Sequence, residues 1–298
     1  MTAPALDIFA FQFRDDGVPL NVDDISIPFV DITSVTGLDN APFRQTTQDR
    51  EGMDGGYVDA EFETLRTIVL AGNVYGTDNV LETYLNQLKA NFAPSRNAYP
   101  FYFRTADGGQ KVLYCKSGGC KYDWTQTRRT NVVAIQFTLM AEDPTIYDPD
   151  LITATKDLAP TVITGRGYDK SFNYGYGGES TSASVIITNT GNKPSPGILS
   201  IAGPIHSGFS ITNDADLDND GNARMIIINQ IINIGDASID IDLRKKTILQ
   251  GTTNRRNAMT PDSRWWMFQP GDNNIRFLGA SGGGTGPLLT ITTQSAWR

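Results

Sequence analysis

The densest group of ionisable side chains in this 298-residue chain is Asp214, Asp216, Asp218 and Asp220, four carboxylates within seven residues that lead into Gly221. Acids at alternate positions followed by glycine form the first half of a calcium loop, where the carboxylates converge on the ion and glycine permits the sharp turn. The second half fails. Counting from Asp216, the position that should close the loop with a bidentate glutamate is Ile227, and the flanking sequence reads as strands. A solvated Asx-rich turn is the expectation, and a weak ion site is the alternative that carboxylate repulsion leaves open. The single histidine, His206, lies in Gly203-Pro204-Ile205-His206-Ser207-Gly208, which reads as a turn. A histidine-based triad would have to be built wholly on this residue, and a loop histidine with no catalytic task is expected.

Other chemistries meet similar gaps. A pair of carboxylates suffices for glycoside hydrolysis, but their spacing is spatial and leaves no signature in sequence. Gly175, Gly177 and Gly178, and the run Gly282 to Gly286, lack the following Lys-Ser/Thr of a phosphate cradle. Cys115 and Cys120 enclose Lys116-Ser117-Gly118-Gly119 and read as the two ends of a hairpin turn. Together with His206 they supply three of the four donors a structural zinc needs. Two separate thiols are favoured over a cross-hairpin disulfide in a chain made in a reducing cytoplasm. No catalytic residue, metal ligand or cofactor is therefore assigned. Tyr168, Phe172, Tyr174 and Tyr176 stand among glycines and could form a stacking patch for sugar or an aromatic contact packed between domains.

Charge is unevenly spread. Residues 1–150 hold 12 Lys/Arg against 21 Asp/Glu, and residues 151–298 hold 13 against 12. An acidic first half argues against nucleic-acid binding there, because affinity for phosphate backbones needs clustered Lys/Arg. No run of 18 apolar residues occurs, and Met1-Thr2-Ala3-Pro4 leads into Asp7 without a basic or apolar leader, so neither membrane insertion nor secretion by a signal peptide is expected.

The elements that must carry these residues are mostly strands. With 29 Gly, 15 Pro and 39% hydrophobic residues, the composition is that of a turn-rich globular protein, mainly β, long enough for two domains. Val22 to Ile32 reads as an edge strand because of Pro28. Gln45 to Gly56 reads as an extended loop or bulged hairpin tip, and Glu61 to Leu70 as a strand ending at Gly72. Asp78 to Phe92 is predicted as the one helix, with Leu81, Tyr84, Leu85, Leu88 and Phe92 on one face and Pro94 beyond its end. Strands are expected at Phe101–Phe103, Lys111–Tyr114 and Val132–Met140. Pro144, Pro149 and Pro160 place a linker at 151–164, between a first domain of 1–150 and a second of 165–298. In the second domain, strands at Ser184–Thr188, Gly197–Ile201, Arg224–Ile234, Ile239–Leu243, Trp265–Phe268, Asn274–Leu278 and Leu288–Thr292 have the spacing of a β-sandwich. Trp266 and Phe268 keep a period of two up to Pro270-Gly271, so a hairpin into Asn274–Leu278 is predicted.

These motifs carry a family resemblance. Gly52-x-Asp54-Gly55-Gly56 precedes Arg66-Thr67-Ile68-Val69-Leu70, a Leu-rich helix ends in Asn91-Phe92-Ala93-Pro94, and Glu142-Asp143-Pro144 with Tyr147-Asp148-Pro149 closes the domain. The Asn189-x-Gly191-Asn192 turn follows, then alternating acids at Asp240 and Asp242, the tryptophans, and the Ile275-Arg276-Phe277 strand. In this order they resemble siphophage distal tail proteins. The resemblance implies an N-terminal ring-forming domain of β-sandwich or barrel-like form and a C-terminal galectin-like β-sandwich. It further implies a homohexamer at the distal end of the virion tail, assembled in the host cytoplasm, with tail tube, tail tip hub or baseplate proteins and the tape measure protein as partners and DNA only in transit. A carbohydrate-binding receptor-recognition module is the alternative. Within the acidic first domain, Asp49, Glu51, Asp54 and Asp59 are candidates for a channel-facing wall, with a solvated edge or an intersubunit contact as the other readings.

Overall fold

The computed structural model describes residues 4–21, 28–54, 56–58, 61–104, 109–123, 131–157, 180–281 and 287–298. Two compact units divide the chain: Met1–Pro149 with Trp297–Arg298, and Asp150–Ala296.

The first unit contains β1 (Phe11–Phe13), β2 (Pro19–Leu20), β3 (Phe29–Thr36), β4 (Phe43–Arg44), β5 (Thr47–Asp49), β6 (Gly56–Val58), β7 (Phe62–Glu63), β8 (Arg66–Tyr75), α1 (Asp78–Asn91), β9 (Tyr99–Arg104), β10 (Gln110–Asp123), β11 (Val132–Ala141) and β12 (Ile146–Tyr147). The main sheet runs β2-β1-β9-β10-β11-β8-β3 and does not close. Alternation decides which faces are buried. Ile68, Leu70 and Val74 of β8 and Val133, Ile135, Phe137 and Leu139 of β11 all point inward, and the register pairs Leu70 with Phe137 and Ile68 with Leu139. Helix α1 covers this face with Leu81, Leu85, Leu88 and Phe92, each buried side chain being worth about 2 kcal/mol of transfer free energy. Phe92 stacks between Phe13 and Phe137, with centroids 5.1 and 4.2 Å away.

Several sequence expectations change here. The stretch around Cys115 and Cys120 is no hairpin, because β10 runs straight through it. Gln110–Cys115 pairs with β9, and Lys116–Asp123 pairs with β11. The glycines provide a bulge: the register shifts between Ser117 and Gly119, and Gly119 takes φ +116°. Five extended residues separate the two Cα atoms by roughly 16 Å, well past the roughly 7 Å limit of a disulfide. Burial pushes the Cys115 thiol up to about 12 and Cys120 up to about 11, so both stay protonated at neutral pH. Strand β8 does not end at Gly72 but continues to Tyr75. Gly72 is needed because a Cβ there would lie 2.1 Å from the Asp31 carbonyl oxygen, where edge strand β3 bulges between Ile32 and Ser34.

The second unit holds β13 (Ile152–Asp157), β14 (Ser180–Asn189), β15 (Gly197–Ala202), β16 (Ile205–Leu217), β17 (Ala223–Ile228), β18 (Ile239–Asp242), β19 (Thr247–Gln250), β20 (Thr253–Asn254), the short 3-10 helix η1 (Arg256–Ala258), β21 (Gly271–Ser281) and β22 (Leu288–Thr293). β23 (Ala296–Trp297) pairs with β12, and Trp297 packs on the core of the first unit. Two antiparallel sheets, β13-β22-β15-β18-β19-β20 and β14-β21-β16-β17, form a sandwich. Leu199, Ile241 and Ile291 from one and Ile211, Ile226 and Phe277 from the other share its core.

The expected linker at 151–164 is thus overturned over Ile152–Asp157, which pairs along β22; its alternating Ile-Thr-Ala-Thr supplies a strand face that the flanking prolines masked. Trp265–Phe268 is not a strand and forms no hairpin with Asn274–Leu278. β21 pairs with β14 and β16 instead, and Phe268 makes one isolated bridge to Ser195. Trp266 and Phe268 are nonetheless buried, edge to face at 5.3 Å. The Pro270-Gly271 turn forms as the residue types suggest. Gly271 takes φ +89°, and the Asn273 side chain accepts from the Gln269 amide and donates to the Gln269 carbonyl. The strand expected over Arg224–Ile234 stops at Ile228, and His206 lies within β16 rather than in a turn.

Candidate assembly site

Between Ala41 and Arg66 the chain leaves the sheet as a two-stranded ribbon. β4 pairs with β7 at its base, where the register joins Phe43 to Glu63 and Arg44 to Phe62. β5 pairs with β6 further out, and residues 50–54 form the described part of the tip. Ten extended residues allow it to reach up to roughly 30 Å.

This ribbon has no core of its own. Phe43, Met53, Tyr57, Val58 and Phe62 are all exposed, Met53 by 75%, Tyr57 by 61% and Phe62 by 57%. Residues 43–65 carry Arg44 and Arg50 against Asp49, Glu51, Asp54, Asp59, Glu61 and Glu63. The two arginines sit over aromatic rings, Arg44 over Phe62 at 5.9 Å and Arg50 over Tyr57 at 4.6 Å. A lone two-stranded ribbon is marginal in water. Apolar groups exposed together on such an element mark an interaction surface.

The root, by contrast, is firmly held. Arg66 is 1% exposed, and its Nη1 donates to the carbonyls of Asp39, Leu38 and Gly37 at 2.8, 3.2 and 3.5 Å. Burial lowers its pKa, while Glu63 and Asp39 oppose that shift. Gly37 takes φ +86°, and a Cβ there would stand 2.0 Å from the Thr67 carbonyl oxygen, so the loop that Arg66 clamps requires glycine. Thr64 donates to the Pro42 carbonyl from both N and Oγ1, and Arg298 Nε lies 3.4 Å from Glu63.

Of the acids singled out from sequence, Asp49 lies on β5 and Glu51 and Asp54 at the tip, all exposed, so the structure brings three of them onto one element. Asp59 falls outside the described residues, as do Tyr168, Phe172, Tyr174 and Tyr176. Sequence reading missed the ribbon's apolar members and the Arg66 clamp. A signal existed in Tyr57, Val58 and Phe62, apolar residues in a polar run with no helical or strand partner face to receive them.

The calcium-like segment is the end of β16 and the turn into β17, and three of its four carboxylates are already engaged. Asp218 Oδ1 accepts from the amides of Asn222 and Asp220, which lowers its pKa, Asn222 first. Asp216 is buried, accepts from the Met267 amide at 2.8 Å and faces Arg224 at 3.7 Å. Asp214 pairs with Arg276 at 2.6 Å and with Asn274. Thermal melts in calcium and in chelator are accordingly expected to coincide; a midpoint raised by several degrees in calcium would show a saturable site and refute the expectation.

An open sheet bearing a two-stranded ribbon, followed by an antiparallel sandwich, defines a β-rich two-domain protein. Comparison with known proteins makes this specific. Residues 204–297, which hold β16 to β23, match the family described as siphovirus-type tail component, C-terminal domain. Over 96% of its length the chain shares the fold of the Dit protein of phage SPP1, described as a paradigm of the hub adsorption apparatus in phages that infect Gram-positive bacteria. The TM-score is 0.64, the identity 15%, and 98% of that chain is covered. Two structures of the phage P2 baseplate in its activated conformation, with Ca and with Sr, align over 96% of this chain and 98% of theirs. Their identities are 12% and 13%, with TM-scores of 0.49 and 0.46. No curated protein sequence matches the chain.

Proposed function

We propose that this chain is the structural ring at the distal end of a phage tail, a homohexamer formed through residues 1–150 that joins the tail tube to the tail tip hub or baseplate. The observation that carries this reading is the ribbon from Phe43 to Leu65, exposed on both faces with aromatic side chains in water. Such an element gains its stability from a neighbouring copy, and repetition of one such contact around an axis closes a ring. The match of residues 204–297 to a tail-component family supports the same role. Tail tube, tip and tape measure proteins are then the partners, DNA crosses the central channel, and assembly takes place in the host cytoplasm. Mass measurement in solution tests this: six copies, or a concentration-dependent approach to six, are expected. A chain that stays monomeric at high concentration, even beside its tube and tip partners, would defeat the reading.

The acids of the ribbon extend it. With Asp49, Glu51, Asp54 and Asp59 lining the channel, the wall repels phosphates and DNA passes without sticking. Asp49→Asn, Glu51→Gln, Asp54→Asn and Asp59→Asn together should slow DNA ejection, while an equal number of neutralised acids on the outer surface should not. Equal ejection kinetics for the two sets would sink the lumen assignment and leave the ring itself standing.

A further inference from the structure

In the second unit, a cleft of about 560 Å³ is lined by the polar residues Gln230, Asn233, Asp236, Gln250 and Arg255 together with Ile231 and Ala237. Arg255 is the notable member. Its Nε donates to Gln250 Oε1 at 3.0 Å and its amide to the Ile248 carbonyl at 2.8 Å, which fix the side chain at one end. Among the described residues nothing bonds its Nη1 or Nη2. The fork of a guanidinium, held by its stem with both terminal nitrogens open on a cleft, is an anion receptor suited to bidentate contact with phosphate.

The charges beside it are gathered by the fold. Arg244, Lys245 and Lys246 occupy the β18–β19 turn, with Lys246 at φ +54°, and Arg256 Nη1 donates to the Lys246 carbonyl at 3.4 Å, which ties η1 to that turn. Residues 243–261 contain five Lys/Arg and no Asp/Glu, whereas the other eight Lys/Arg of residues 151–298 face 12 Asp/Glu. Asp242, just before the turn, offsets part of this charge through Lys245 at 3.4 Å, and an anionic ligand would offset the rest. The remaining polar lining groups are of a different kind. The amides of Gln230, Gln250 and Asn233 each spend one N–H inside the protein, on the carbonyls of Ile231 and Ala237 and on Asp236, and keep a second, and Asp236, whose Oδ2 accepts from Asn233 N and Nδ2 at 2.8 and 3.1 Å, offers its other oxygen. Amides and a carboxylate bind hydroxyl groups, and the carboxylate disfavours a bare polyanion.

We propose that this cleft binds a phosphate-bearing polyol or sugar chain, with one phosphate on Arg255, hydroxyls on Asp236 and the amides, and the next phosphates along the chain on the basic turn. The site is independent of the ring. It adds a ligand to the outer sandwich whether or not the first unit assembles as proposed.

The test uses the full chain and a poly(glycerol phosphate) oligomer as probe, with neutral polyglycerol, inorganic phosphate and poly-glutamate as comparators. The phosphate polymer should bind more tightly than any of the three. Arg255→Gln should weaken it at least tenfold, and Arg255→Lys less, with thermal melts and assembled mass unchanged. Lys245→Gln with Lys246→Gln should lower affinity and reduce the salt dependence of log K by about 1.4 to 1.8. Wild-type affinity in Arg255→Gln, or absence of binding to the polymer, would overturn the proposal. Equal binding of inorganic phosphate would reduce the site to an anion hole, and equal binding of poly-glutamate would reassign it to an acidic protein partner; either result also overturns it. Because assembled mass is read on the same samples, a failed ligand site and a failed ring give different results.

Discussion

A chain carrying Met53→Ser, Tyr57→Ser and Phe62→Ser should fold as the parent does and fail to assemble. The three side chains are more than half exposed in the single chain, so their loss costs the folded chain little, roughly 0.5 kcal/mol or less apiece. At an interface the same groups become buried anchors, each worth about 1–2 kcal/mol on truncation. Together that approaches 4 kcal/mol, or roughly a thousandfold in association constant. The check is a thermal melt beside a mass measurement across a concentration series. A triple variant that assembles at parental concentrations would show that the ribbon is no docking element, and a variant that melts far below the parent would show that these residues are structural after all.

Arg66→Met should have the largest effect on stability. The guanidinium is buried, and its Nη1 satisfies carbonyls of the loop that feeds the ribbon. Methionine fills similar space but forfeits three charge-assisted bonds to part-buried carbonyls, worth about 1.5 kcal/mol each. Relief of the desolvation that lowers the Arg66 pKa offsets part of this. A net loss of about 3 kcal/mol is expected, which for a domain of this size lowers Tm by roughly 6–12 °C. Arg66→Lys should recover at least half, because one nitrogen makes all the contacts and an ammonium carries three donors at one point. Protease cleavage within residues 43–63 should accelerate in Arg66→Met and much less in Arg66→Lys. A Met variant that melts within 2 °C of the parent, with an equally resistant ribbon, would show that the clamp is dispensable.

Much of the fold could be read from periodicity. Helix α1 was legible because Leu81, Leu85, Leu88 and Phe92 recur at helical spacing and Pro94 forbids continuation. β11 was legible because Val133, Ile135, Phe137 and Leu139 alternate without interruption. Both patterns are local, since a face must be apolar along its length whatever it packs against. The family motifs are of the same kind, residue types fixed by local turns and strand faces, and their order identified the tail-protein class.

Pairing is not local, and there the structure alone decided. Gly118-Gly119 suits a hairpin turn and a bulge equally well; the choice followed from β9 and β11, which hydrogen-bond to successive halves of one long strand. Trp266 and Phe268 alternate as a strand does, yet β21 finds its partners in β14 and β16, distant in sequence. The features behind the proposed assembly and ligand sites are decided in the same way. Exposure of Tyr57 and Phe62 depends on the absence of a covering face, and the open fork of Arg255 depends on Gln250 holding its stem. The sequence by itself determined which segments could be helix or strand and which class of protein they compose. Tertiary structure decided which apolar groups are left in water and which charges are brought together, because burial and proximity are properties of distant partners.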